Sequence, residues 1–360
     1  MFTIYSDKDI FENIISNPNN YPNWNKIIKD HSNICLNINQ VDLDAEKADP
    51  ETYIFLFLQA NARNIDVIPL ENYFQTIYND FEIIIENPTS AYFLNIPEID
   101  AKNLQDQTGL IINCKENIDD DILIKGVNLD WLADDLINNN WTEILSSFNN
   151  FPSNSLIIND RNLFSNEERV QGLNKNIGID NLLRILDNLI PQNLKIDYHI
   201  LVQSEQNSNI NNKQKCDQIA TILNNEIRNL RPYNFIIEIV FFNRGTMYFP
   251  STHNRKIVSN YKIGKVEYSF AAFKIKENNT LKYDDSFNLK SFFENINSSQ
   301  NCSSNLKAHE NATLKYTEIA SHCIQKINQG GPNDNVYRYY LNGIEVIQGQ
   351  ITKITNRLLN

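Results

Sequence analysis

Two α/β domains are the architecture this sequence predicts, and three features predict it. Short apolar runs alternate with segments of helical periodicity along most of the chain, the pattern of strand–helix–strand units. A length of 360 residues exceeds what one domain of ordinary size holds. A polar, proline-containing stretch, Asn149–Ser155, interrupts the pattern near the middle and marks a boundary. The expected division is residues 1–150, an N-terminal α/β domain, and residues 151–360, an α/β domain with a mixed sheet flanked by helices and a C-terminal helical extension.

In the first half, Phe2–Tyr5 and Ile34–Ile38 read as strands, and Asp9–Lys29 as helix broken near Pro18 and Pro22. Tyr53–Leu58 is continuously apolar, so periodicity leaves strand and helix open. Glu71–Ile85 follows helical spacing. Ala91–Leu94, a helix over Pro97–Gln107 and Leu110–Cys114 form a strand–helix–strand unit, whose spacing predicts parallel pairing. Asn128–Phe148 reads as one long helix.

In the second half, Ser155–Asn159 is a buried-strand pattern ending at Asp160 and Arg161. Ile179, Leu182, Leu183, Leu186, Leu189 and Ile190 follow helical spacing, and Lys195–Val202 is the next strand. Gln203–Lys215 reads as a polar loop, followed by a helix through Ile219, Ile222, Leu223 and Leu230, then a strand over Phe235–Phe242. After a strand pair in Thr252–Phe273, Leu306–Ile327 is helical and Val336–Leu341 strand-like.

Composition narrows the function classes. The net charge is −12, which argues against a general nucleic-acid coat, because phosphate affinity is largely electrostatic. Yet seven basic residues (Arg244, Arg255, Lys256, Lys262, Lys265, Lys274 and Lys276) stand against one acid, Glu267, between positions 244 and 276. A basic island on an acidic chain fits a local phosphate site, and equally the wet face of a strand pair. The start of the chain has neither the basic residues nor the apolar run of a signal peptide. No apolar run is long enough to span a bilayer. The five cysteines form no C-x-x-C pair and read as reduced thiols. A cytoplasmic protein with no membrane partner is the expectation.

The spacing with chemical content is His253, Arg255 and Asn260, an H-x-R-x4-N pattern, with Ser269 on the following run. Residues two apart on a strand share a face, so His253 and Arg255 emerge together. This stretch resembles the H-x-K-x4-D motif of the phospholipase D-like superfamily. The order of elements from Ser155 to Lys276 is similar to one half of that fold, and the resemblance covers about a third of the chain. Arginine keeps the cation and grips phosphate bidentately. Asparagine accepts a hydrogen bond from imidazole but supplies no charge, which slows catalysis wherever a His–Asp pair operates. The glycine and asparagine that flank the serine in the family are replaced here by Tyr268 and Ala271.

The resemblance implies a metal-independent phosphodiesterase or nuclease, or a pseudo-enzyme derived from one. It assigns His253 as nucleophile, Arg255 as phosphate clamp, and Asn260 and Ser269 as polar support. Asp160, Arg161, Arg244 and Lys256 would line the approach of the substrate. It implies no cofactor, nucleic acid as ligand, and a homodimer or protein partner to supply the second motif that the family uses. It also implies a place in a prokaryotic defence or nucleic-acid-processing system. The competing expectation is a non-catalytic interaction subunit with a decayed site. A separate question concerns the N-terminal half, where Asp7, Asp9, Asp119, Asp120 and Asp121 are the acids a PIN-like nuclease would gather around a metal. Their spacing does not stand out, and Asp119–Asp121 reads more simply as a solvated turn.

Overall fold

The computed structural model describes residues 2–60, 66–124, 129–131, 140–146, 151–206, 212–243, 255–266, 268–275, 287–293, 296–329, 337–342, 345–348 and 354–359. The chain divides into two compact units: Met1–Lys125 with Ser291–Glu310, and Gly126–Lys290 with Asn311–Asn360. The first boundary between these units lies between Lys125 and Gly126. The reason is packing. Trp141, Ile144 and Leu145 belong to the same core cluster as Leu156 and Leu182 of the second unit.

Unit 1 contains β1 (Phe2–Asp7), α1 (Lys8–Ser16), α2 (Pro22–His31), β2 (Ser32–Asn37), α3 (Gln40–Ala48), α4 (Tyr53–Ala60), β3 (Val67–Pro69), α5 (Glu71–Asn79), β4 (Ser90–Phe93), α6 (Glu98–Thr108) and β5 (Ile111–Asn113). All of its strand pairs are parallel, in the order β3-β2-β1-β4-β5. Residues of β1 and β4 are almost all buried, as strands covered on both faces must be. The open apolar run Tyr53–Leu58 resolves as helix α4, and α6 closes on Gly109 at φ 65°. A left-handed residue there returns its N–H to Gln105 O at 2.8 Å.

The order reverses between β1 and β4, which makes the carboxyl end of β1 a topological switch point. Asp7 ends that strand and is buried. It accepts from Asn37 Nδ2 at 2.6 Å, from Asn95 N at 2.6 Å and from the Tyr78 hydroxyl. The other acids are used locally. Asp120 accepts from Asn23 N and Trp24 N at the start of α2, at 3.1 and 2.9 Å, Asp121 accepts from Asn23 Nδ2, and Asp9 pairs with Lys115. Among the described residues no group of three or more His, Cys, Asp or Glu could hold a metal ion.

Unit 2 contains β6 (Leu129–Trp131), α7 (Trp141–Leu145), β7 (Ser155–Asn159), β8 (Glu167–Val170), β9 (Leu173–Asn176), α8 (Ile177–Leu189), β10 (Tyr198–Gln206), α9 (Asn212–Ile227), β11 (Phe235–Asn243), β12 (Arg255–Ser259), β13 (Lys262–Val266) and β14 (Phe287–Ser291). Helix α10 (Ser299–Gln329) begins in unit 1 and ends in unit 2, and β15 (Tyr337–Asn342) and β16 (Glu345–Gln348) follow. The nine-stranded sheet runs β16-β15-β11-β10-β7-β12-β13-β14-β6. Its centre, β7, β10 and β11, is parallel, while β12 and β15 flank it antiparallel. The mixed sheet matches the expectation. The long helix over Asn128–Phe148 does not, because β6 occupies Leu129–Trp131 and the short α7 starts at Trp141.

Alternation along the strands divides the core. Leu156, Ile158, Ile200 and Val202 pack with Leu182 and Leu186 of α8 and Leu223 of α9. Ile157, Leu201, Val240 and Val258 point to the other face, against Ala312, Tyr316, Ile319 and Ala320 of α10. Both faces being covered explains why these strands read as continuous apolar runs. Among the described residues no helix is long and apolar enough to cross a membrane. Cys35, Cys114, Cys216 and Cys302 are buried free thiols.

The amino-terminal edge of the parallel strands is tied down by the end of the chain. Thr355 N donates to Glu238 Oε1 at 2.9 Å, and Arg357 Nη1 to Asp197 O at 2.6 Å. His199 Nδ1 donates to Thr355 O at 2.6 Å. Burial first, and the Arg357 cation second, hold His199 down to about 4, against the opposing pull of the Thr355 carbonyl. A histidine with a depressed pKa is neutral in the folded chain and protonates in the unfolded chain near its ordinary value. The unfolded state therefore binds more protons between about pH 6.5 and 4, and stability falls with pH through that window. About 2 kcal/mol should be lost between pH 7 and 5 through this group. Urea unfolding at both pH values should show that loss reduced in His199→Gln; an identical pH dependence in the variant would remove His199 as its source.

Candidate functional site

The candidate site lies at the carboxyl ends of β7 and β10, where open α/β sheets present ligand-binding groups. Because β12 runs antiparallel to β7, with Lys256 opposite Asn159, its first residue, Arg255, comes beside Asp160. Arg255 Nε lies 3.7 Å from Asp160 Oδ1, and both side chains are buried, at 8% and 0% exposure. Asp160 Oδ2 accepts from Ser269 Oγ and from Phe270 N, each at 2.7 Å. Its Oδ1 accepts from Asn162 N at 2.8 Å. Burial raises the Asp160 carboxyl above its ordinary value, opposed by the Ser269, Asn162 and Phe270 donors and by the Arg255 cation.

Ser269 is thus committed twice, donating to Asp160 and accepting from Ala271 N at 3.0 Å. Its hydroxyl braces the 268–273 segment. Asn181 of α8 completes that brace. Its Nδ2 donates to Phe273 O at 2.8 Å, and its Oδ1 accepts from Phe273 N and from Trp141 Nε1. Two buried polar side chains, Asp160 and Asn181, therefore fix one segment that has no regular secondary structure to fix it.

Asn260 stands elsewhere. It follows β12 at the opposite edge of the sheet, fully buried. Its Oδ1 accepts from Ser153 Oγ, Asn154 N and Ser155 N at 3.2, 3.0 and 3.1 Å, and its Nδ2 donates to Asn154 Oδ1 at 2.9 Å. Five residues of extended strand put it roughly 15 Å from Arg255 along the strand axis. The H-x-R-x4-N spacing brings Arg255 beside Asp160 and Ser269, but not beside Asn260. His253 and Arg244 lie outside the described residues. Arg161 is half-buried, with its carbonyl accepting from Ser204 Oγ at 3.5 Å.

Lys256 points to the α10 side of the sheet, since it alternates with Arg255. A row of residues crosses four strands there: Gln203 on β10, Asn159 on β7, Lys256 on β12 and Lys265 on β13, each opposite the next. Asn159 Nδ2 donates to Gln203 Oε1 at 3.0 Å. Gln203 had the look of a loop residue because the apolar run stops at Val202. The structure continues β10 to Gln206 and buries Gln203 completely. The signal that could have found it is parity: Leu201 and Gln203 share a face.

Compared with known proteins, the chain matches no family model and no curated protein sequence.

Two substitutions test the geometry. Ser269→Ala should destabilise the chain by about 1–3 kcal/mol, the range for a lost hydrogen bond to a buried charged acceptor. Asn260→Asp, which installs the acid of the H-x-K-x4-D motif that the spacing resembles, should cost roughly 3 kcal/mol at neutral pH, because it buries a carboxylate and removes the donor to Asn154. Denaturant unfolding measures both. An Asn260→Asp chain as stable as the parent would contradict the structural role given to that amide.

Proposed function

We propose that this chain is a cytoplasmic phosphodiester-binding protein directed at nucleic acid, with unit 2 acting as a phospholipase D-like module whose hydrolytic set is incomplete. The observation that carries the reading is the Arg255–Asp160 pair at the carboxyl ends of the parallel strands. A buried carboxylate holds the guanidinium at the edge where ligands enter, and guanidinium is suited to phosphate oxygens. The basic residues that follow, Lys256 and Lys265, add sequence-independent attraction for a polyanion.

Binding is favoured over hydrolysis because the groups that should assist a histidine nucleophile are engaged elsewhere. Asn260 braces the opposite edge, and Ser269 donates to Asp160. A role within a prokaryotic defence complex, with a homodimeric or protein partner, belongs to the same proposal. A second reading, a pure protein-interaction subunit, draws on exposed Val41, Tyr53 and Leu56 on the neighbouring helices α3 and α4.

The test measures binding and cleavage of single- and double-stranded DNA and RNA in EDTA, comparing the parent with Arg255→Ala and His253→Ala. Salt-sensitive binding should weaken about tenfold in Arg255→Ala, with no cleavage by any of the three. Cleavage lost in His253→Ala would replace the binding role with an enzymatic one. Absence of binding to every nucleic acid would leave the interaction subunit.

A further inference from the structure

The α10 face of the same sheet edge groups Lys256 and Lys265, which the Arg255 reading uses only as general attraction, with Gln203 and Lys315, which it does not use. Lys256 and Lys265 stand opposite each other on β12 and β13, so both project to this face. Helix α10 covers it through Ala312 and Tyr316, which pack on Val258, the next residue of β12 on that face. Lys315 lies between those two contacts in sequence and is half-buried. Its ammonium bears on that of Lys256, which burial first, and then Lys315 and Lys265, hold below the ordinary lysine value.

Three like charges converge here, and among the described residues none of the three forms an ion pair with a carboxylate. Other lysines of the chain do form such pairs: Lys8, Lys26, Lys115, Lys213 and Lys215 each meet an acid within 4 Å. At the buried end of the row, the Gln203 side chain is completely buried, and its Nε2 has no hydrogen-bond partner among the described residues. A buried amide donor without an acceptor is uncommon in folded chains. Lysines without a carboxylate partner among the described residues, in one cross-strand row with a buried amide donor two strands away across Asn159, at the carboxyl ends of parallel strands, together describe a place for an anion with several oxygens.

We propose that Gln203, Lys256, Lys265 and Lys315 form a binding site for a terminal phosphate, that of a nucleotide or of a 5′-phosphorylated nucleic-acid end. A phosphomonoester carries nearly two negative charges at neutral pH, against one for a diester, and so matches three ammonium groups better. Lysine is suited to it as a point charge that needs no planar partner. The choice of nucleic acid as carrier rests on the reading of Arg255 above; the site itself does not.

The probes are a short single-stranded oligodeoxynucleotide with a 5′-phosphate, the same strand with a 5′-hydroxyl, and AMP against adenosine. Binding is followed by fluorescence anisotropy and calorimetry on the full chain. The parent should prefer the phosphorylated end by about tenfold, and Lys265→Ala/Lys315→Ala should erase the preference while keeping its melting temperature. Both side chains reach solvent, so this variant should fold; Lys256→Ala is the second, independent reduction. AMP binding in preference to adenosine would assign the site to a free nucleotide, and a preference confined to the oligonucleotides would assign it to a strand end. Equal binding of both ends together with no discrimination between AMP and adenosine overturns the proposal, as does a preference that survives in the double variant. AMP has no internal diester, so its binding to Arg255→Ala reads this site even if strand binding fails in that variant.

Discussion

The structure of the candidate site depends on one buried carboxylate. Asp160 is fully removed from water and lies beside the Arg255 cation while accepting three hydrogen bonds. A lone ionised carboxylate in such a place would be very unfavourable. It is tolerable because the donors come from fixed backbone and from a hydroxyl with a second anchor. The consequence is positional. The end of β7, the start of β12 and the 268–273 segment are all referred to a single pair of oxygens. Arg255 is therefore presented in one place, with Asp160 biasing one edge of its guanidinium. Under the proposed binding role, a cation held this way would lose less entropy on engaging a ligand.

The two edges of the unit 2 sheet do different work. At the amino ends of the parallel strands, Asn260, His199, Thr355, Asn356 and Arg357 form an internally paired set that fastens the end of the chain. At the carboxyl ends, among the described residues, Lys256 and Lys265 meet no acid and Gln203 retains an amide donor without a partner. Strand polarity accounts for the contrast. The carboxyl ends of parallel strands lead into loops that remain available for a ligand, and the amino ends here are closed by backbone that needs its own partners. Asn260 falls on the closed edge because β12 is antiparallel to β7, so moving forward along β12 leaves the open one.

Much of the fold was legible because burial on both faces writes itself as uninterrupted apolar runs: SLIIN in β7 and FIIEIVFF within β11 are strands on sight. What failed was local. The 128–148 region has helical periodicity, yet its described residues form β6 at Leu129–Trp131 and the short α7 at Trp141–Leu145, where pairing with β14 and the packing of Trp141 against Phe273 and Phe287 outweigh propensity. The end of β10 was missed because its last residues are polar, and polarity at a strand end looks like a loop in one dimension. Within the site, Arg255, Asp160 and Ser269 were each identifiable, but not their mutual arrangement. A spacing along the chain reports which face a residue takes, not which edge of the sheet it reaches.

That distinction also decides how the two faces of one edge are related. Arg255 and Lys256 are adjacent in sequence and emerge on opposite sides of the sheet, one toward Asp160 and one toward Lys265 and Lys315. A polyanion that followed the edge would meet a guanidinium held by Asp160 on one side and lysine ammonium groups on the other. Arginine's planar fork selects orientation, whereas lysines respond mainly to charge. Strand alternation therefore separates two neighbouring cations of the basic island, with Arg255 beside Asp160 on one face and Lys256 opposite Lys265 on the other.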